Sequence, residues 1–183
     1  MRNLTFLFLF MLGSLVLNAQ NVNEPEFIGQ VVALNSDNTV VTLEKESASM
    51  KAKSSNFGLI PVPGSSLLDK TKMLLTVKGK TSKTILPQGT LKFILRADNN
   101  NRDPKDLFGI FQFDVAKKER RYKMSEVGII NGYQSKTDSN TVDYDAVKYG
   151  TSSYLVTIKD VTPGQYAIIT GGDYRSLITF GVE

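Results

Sequence analysis

Apolar and polar positions alternate with a period of two along much of the chain, and no segment sustains a period of 3.6, which predicts a protein built of strands. Phe27 to Leu34 reads as a first strand, the cluster Asn35-Ser36-Asp37-Asn38 as a turn, and Val40 to Glu44 as its hairpin partner. Met73, Leu75 and Val77 share one face of a third strand closed by Gly79, and Thr84 to Leu86 adds a short piece before Pro87. Leu91, Phe93, Leu95 and Ala97 define the next strand, which ends in the polar run Asp98 to Asp103. Leu107 to Val115 is the most apolar segment and is expected at the centre, with Phe111, Phe113 and Val115 inward. Lys117 to Met124 continues it or returns beside it. The pattern is clearest at the end: Tyr154, Val156 and Ile158, then Tyr166, Ile168 and Thr170, then Ile178, Phe180 and Val182.

Between these elements the turn chemistry is explicit. Asp103-Pro104 suits one helical turn, with Asp as N-cap and Pro at the first helical position. Pro163-Gly164 is a type II turn signal, because Pro presets one dihedral and Gly accepts a positive φ. Ser47 to Ser66, with Pro61 and Pro63, reads as a long loop or edge segment, and Gly128 to Asn140 as a polar loop. About nine short strands with regular turn signals predict an all-β, antiparallel, two-sheet immunoglobulin-like sandwich.

The first nineteen residues change the picture of where such a domain works. Met1 and Arg2 precede the apolar run Leu4 to Leu17 and the break Asn18-Ala19-Gln20, the three parts of a secretory signal. The run is too short for a bilayer span. Clipping residues 1–19 leaves 164 of the 183 residues, Gln20 to Glu183, expected to form one domain without a membrane span. An eight-stranded outer-membrane barrel would suit that length, but its strands need longer lipid-facing alternation than this chain offers.

The chain contains no cysteine and no histidine. Disulfides, thiolate and imidazole metal sites, and every nucleophile that depends on an imidazole base are thereby excluded. Ser-x-x-Lys and phosphate-loop motifs do not occur, and no local motif nominates the pair of carboxylates a glycosidase needs. The expectation is a non-enzymatic protein with no cofactor and no catalytic residue. A formal charge of +4, from 22 basic against 18 acidic residues, is too mild to point to nucleic acid.

Three clusters carry candidate chemistry. Lys117, Lys118, Arg120, Arg121 and Lys123 form the densest basic segment, suited to an acidic glycan, lipid headgroups or an acidic protein surface; the competing reading is a charged edge that prevents sheet-to-sheet pairing. The run Asp98-Asn99-Asn100-Asn101-Arg102-Asp103 offers oxygens of the kind calcium takes, although the EF-hand spacing fails. Asp143, Tyr144, Asp145 and Tyr149, with Tyr133 and Tyr174, are the acids and rings a sugar-binding sandwich would use, and equally the half-buried tyrosines of ordinary strand ends.

Asn18-Ala19-Gln20, Glu24-Pro25-Glu26-Phe27, Arg96-Ala97-Asp98-Asn99-Asn100 with Asp103-Pro104, and Pro163-Gly164-Gln165-Tyr166-Ala167 closing at Phe180-Gly181-Val182 together resemble a group of small exported Bacteroidetes proteins of unassigned activity. The resemblance implies export to the periplasm or cell surface and a sandwich-like fold, and supplies no catalytic residue. The Pro-Gly-x-Tyr element also looks like part of that group's C-terminal sorting domains, which end in a basic strand that is missing here. Tyr166 itself resembles the tyrosine corner of immunoglobulin-like sandwiches, whose phenol bonds back to the backbone. The functional expectation is a binding or envelope-interaction module whose partner is an envelope protein or acidic glycan, with a glycan-binding or carboxylate-dependent carbohydrate-active protein as the alternative.

Overall fold

The computed structural model of the chain describes residues 22–54, 70–128, 134–136 and 140–183. The leader expected over 1–19, the Pro61 and Pro63 segment and Tyr133 lie outside them. The described chain is all-β apart from one helical turn, α1 (Pro104–Leu107). Asp103 caps that turn as the sequence implies, its Oδ1 accepting from the Lys105 N–H at 2.8 Å.

One layer is a five-stranded antiparallel sheet formed by β1 (Val31–Leu34), β2 (Val40–Thr42), β6 (Gly89–Arg96), β10 (Asp145–Tyr149) and β11 (Ser153–Val161), in the order β10-β11-β6-β1-β2. The expected hairpin is present as β1–β2, turned at Asn38 with φ 63°. The second layer is not the open sheet of an immunoglobulin-like sandwich. It comprises β3 (Lys45–Ser54), β4 (Lys70–Lys78), β7 (Phe108–Val115), β8 (Glu119–Gly128), β12 (Gly164–Thr170) and β13 (Ser176–Val182). These pair antiparallel as β12-β7-β8-β4-β3-β13, and β13 pairs again with β12, so the six strands close into a barrel. The short β5 (Ile85–Leu86) adds a parallel pairing to β13, and β9 (Gln134–Lys136) pairs with β8 inside what reads as a polar loop.

Closure explains the apolar runs of β7, β12 and β13. Phe108, Ile110, Tyr166, Ile168, Ile178, Phe180 and Val182 turn toward the five-stranded sheet and meet Val31, Phe93, Leu95, Tyr154 and Val156 in the larger core. The alternate residues Phe111, Phe113, Ala167, Ile169 and Leu177 turn into the barrel with Leu75 and Val77. A strand buried on both faces reads as continuously apolar. Val115, expected inward, is instead more than half exposed at the end of β7.

The largest departure from the sequence reading is β3, a strand of ten residues where a loop is expected from Ser47. Its composition is polar, and its place comes from pairing on both sides, with β13 and with β4. Only Ala48 among its described side chains packs on the barrel core. The Pro163-Gly164 connection also departs from a type II turn. The left-handed residue is Asp160, φ 52°, next to a register shift between Ile158 and Val161. The tyrosine-corner bond is present, the Tyr166 hydroxyl donating to the Thr162 carbonyl at 2.8 Å.

Two polar clusters fasten this framework. Inside the barrel lies Arg120, which is wholly buried. Its Nη2 meets Glu46 Oε2 at 2.8 Å, its Nη1 donates to Ser82 Oγ at 2.5 Å, and Nη2 and Nε reach the carbonyls of Lys78 and Gly79 at 3.2 and 3.4 Å. Its guanidinium carbon stands 5.6 Å from the Phe113 ring centroid. Thr179 donates to the other oxygen of Glu46, and Gln165 Oε1 accepts from the Ser82 N–H at 2.6 Å. The loop after β4 is thereby folded over the barrel end.

The second cluster ties the segment before β1 to the five-stranded sheet. The Glu24 carboxylate accepts from the N–H and hydroxyl of Thr151, the N–H and hydroxyl of Ser152, and the Ser153 hydroxyl, and pairs with Arg96 Nη1 at 3.1 Å. The Ser153 hydroxyl bond, followed by the Thr151 N–H, holds the Glu24 carboxyl at about 2, below the ordinary 4.5. Gly150 sits beneath it at φ 56°, where a Cβ would come within 2.2 Å of Glu24 Oε1, so only glycine admits the carboxylate.

Two outcomes follow for stability. Arg120→Ala leaves the Glu46 carboxylate without its countercharge and is expected to cost about 3–5 kcal/mol in urea unfolding, against about 0.5 kcal/mol or less for Lys117→Ala; equal effects would show that the pair carries nothing. The depressed Glu24 carboxyl stabilises the fold fully above its unfolded value near 4.5, and that stability is lost as pH falls toward 2. Glu24→Gln should therefore lower the melting temperature at pH 7 and converge with the parent in strong acid; parallel melting curves across that range would contradict the clamp.

Candidate binding surface

The basic segment does not stay together in space. Its strand β8 is paired with β4 along its length and with β7 and β9 at its two ends, so it is an interior strand and not a guarded edge. Alternation sends Arg120, Tyr122 and Met124 into the barrel, and Tyr122 stacks on Phe111 with ring centroids 4.0 Å apart. Arg120 is thus a structural charge and is removed from the expected binding set. Arg121 Nε lies 2.7 Å from Glu119 Oε1, and Glu119 Oε2 lies 2.7 Å from Lys51 Nζ. These two bonds, Lys51 first, hold the Glu119 carboxyl below its ordinary value. Lys123 is half-buried, in register with Leu74.

Lys117 and Lys118 remain exposed at the turn between β7 and β8. The structure adds two cations that the linear pattern does not associate with them. The Gly79 N–H donates to the Lys118 carbonyl at 3.0 Å, which sets the exposed Lys78, the last residue of β4, and Lys80, on the loop after it, beside that turn. Lys78 lies opposite Glu119 in the ladder, but both oxygens of Glu119 are already taken. Lys78, Lys80, Lys117 and Lys118 form no ion pair with any described residue. They ring the barrel end closed by Arg120.

The other sequence candidates are absorbed differently. In the Asp98 to Asp103 run one oxygen of Asp98 accepts from the Asn99 N–H, Asn99 from the Asn101 N–H, and Asp103 from the helical turn, while Asn101 Oδ1 accepts from Lys148 Nζ at 3.2 Å. Asn100 is buried, its amide donating to the Gly150 and Ser153 carbonyls. Among the described residues no group of three acids stands where it could hold a metal ion. The Tyr144 hydroxyl donates to the Pro104 and Phe108 carbonyls, and burial, with the nearby Asp103 charge, pushes it up to about 12. Asp145 is paired with Lys159 at 2.8 Å.

Tyr149, one of the proposed sugar-binding rings, lines a groove of about 900 Å3 beside the five-stranded sheet. Leu34, Leu155 and Pro87 give this groove apolar wall, and Asn38, Gln88 and Thr90 give neutral hydrogen-bonding groups. The Tyr149 hydroxyl donates to the Val22 carbonyl, so the segment clamped by Glu24 forms part of the wall. The Tyr149 phenol is raised from its ordinary value by burial and then by the Glu24 charge. At the groove Asp37 Oδ1 accepts from both the Thr39 hydroxyl and the Thr39 N–H.

No protein-family model matches this chain, and neither a curated protein nor a solved structure matches it.

Proposed function

We propose that this chain is an exported, non-enzymatic binding module that meets an acidic partner of the cell envelope through the lysines at the closed end of its barrel. One observation carries the reading: four exposed cations at the end of β4, on the loop after it and on the β7–β8 turn, brought together by the Gly79–Lys118 backbone bond and without an ion pair to any described residue. Unpaired surface cations at such spacing raise the local potential and attract polyanions, an attraction that salt screens within about 10 Å at ordinary ionic strength. The backbone beneath them is held by the Arg120 bonds to Lys78, Gly79 and Ser82, which leaves only the lysine side chains to be ordered on binding. Replacing Lys78, Lys80, Lys117 and Lys118 together by alanine should leave urea unfolding nearly unchanged. The same change should shift elution from immobilised heparin to markedly lower salt; elution at the parent's salt concentration would sink the reading.

The groove lined by Tyr149 favours a second reading, recognition of a neutral glycan. Its amide and hydroxyl side chains over an apolar wall suit sugar hydroxyls and ring faces. Titration with neutral hexaoses of glucose, xylose and mannose should show binding that moderate salt does not weaken. Thr90→Arg, a substitution at an exposed lining residue, should abolish it. Absence of binding by all three, or binding indifferent to the blocking arginine, would discard this reading.

A further inference from the structure

A different part of the molecule carries a site of its own. Under the turn Phe27–Gln30, two adjoining hollows of about 400 and 240 Å3 share Ile28, Gly29 and Lys45. The smaller is walled by Phe27, Val31, Leu43 and Ile178, and is therefore apolar on most sides. The larger has Ala97, Leu107 and Phe108 as apolar lining, with Arg96 and Arg102 joining Lys45 as cations.

The lining keeps a small positive excess. Asp98 and Asp173 also line the larger hollow; Asp173 pairs with Arg175 at 3.1 Å and Arg96 with Glu24 at 3.1 Å, which leaves Lys45 and Arg102 against the charge of Asp98. Lys45 attracts Asp173 only at longer range, and neither Lys45 nor the Arg102 side chain makes a hydrogen bond or ion pair with a described residue. Arg96 gives Nη1 to Glu24, while its Nε–H is buried with no acceptor. It is the sole such side-chain atom identified among the described residues.

The wall over this site is preformed. Gly29 adopts φ 75° and donates to the Arg96 carbonyl at 2.8 Å, and the Gln30 N–H donates to the Phe27 carbonyl at 3.0 Å. A Cβ at Gly29 would lie 3.3 Å from Thr170 Oγ1 and 3.5 Å from Lys45 Nζ, so the turn closely overlies the lysine head. Phe27 and Ile28 are 64% and 69% exposed there, two neighbouring apolar side chains held at the rim of the two hollows.

We propose that this cleft binds a small amphipathic anion, its carboxylate or phosphate head among Lys45, Arg96 and Arg102 and its hydrocarbon body against Ile28, Phe108 and the apolar hollow. The head would meet the exposed cations Lys45 and Arg102, and the body would remove apolar surface from water.

Calorimetric titration of the full chain with octanoate and octyl phosphate tests this, with acetate and octyl glucoside separating head from tail. Both amphipathic anions should bind at least about tenfold more tightly than either control. Lys45→Ala and Arg102→Ala, both surface changes, should each weaken octanoate by about fivefold to tenfold while leaving thermal unfolding unchanged. Equal binding of octyl glucoside, equal binding of acetate, or no effect of the two substitutions would overturn the proposal. Flotation with phosphatidylglycerol vesicles distinguishes a lipid surface from a single molecule: retention on vesicles without octanoate binding would also overturn it.

Discussion

A wholly buried guanidinium is the constraint on which the barrel rests. Arg120 sits in the closed end of six paired strands, and each of its donors has to find an oxygen there because water is shut out. Glu46 of β3, Ser82 of the following loop and two carbonyls supply them, so one side chain on β8 specifies where β3, β4 and the loop after β4 must be. Such a pair is not a large net source of stability when set against an apolar replacement. Its force lies in the cost of breaking it, which penalises any register that moves Glu46 away from Arg120.

That register in turn permits three strands to serve two cores. β7, β12 and β13 bury alternate residues toward the five-stranded sheet and into the barrel, which an open sheet facing solvent on one side would not allow. The tilted pair Phe93 and Phe180 and the edge-on pair Phe108 and Tyr154 join the layers on one side; Phe111, Phe113 and Tyr122 fill the other. The Glu24 clamp then fixes the segment leading into β1, and with it one wall of the Tyr149 groove.

Much of the sheet structure was legible in the chain because alternation reports burial directly. Leu91, Phe93 and Leu95, then Tyr154, Val156 and Ile158, then Ile178, Phe180 and Val182 are all buried on the face that their spacing implies. β3 was not legible, since Lys45 to Ser54 earns its place by hydrogen bonding to two neighbours and carries little apolar pattern. The binding surface was legible by halves. A run of cations is visible in the sequence, but period two divides it between interior and exterior, and partners distant in the chain decide which charges stay free. Lys78 and Lys80 carried one available signal, their position beside Gly79 at the end of a strand. Nothing local joined them to Lys117 and Lys118.

By itself the sequence determined the strand-rich class, the turn at Asn35 to Asn38, the Asp103 cap, and the absence of thiol and imidazole chemistry, because these depend on residue type and on spacing of a few positions. Tertiary structure alone decided that one layer closes on itself, that Arg120 is enclosed while its neighbours face outward, and that cations some forty positions apart share one rim. Closure depends on pairing between β12 and β13 at the same time as pairing across four other strands, and a local pattern contains no term for it.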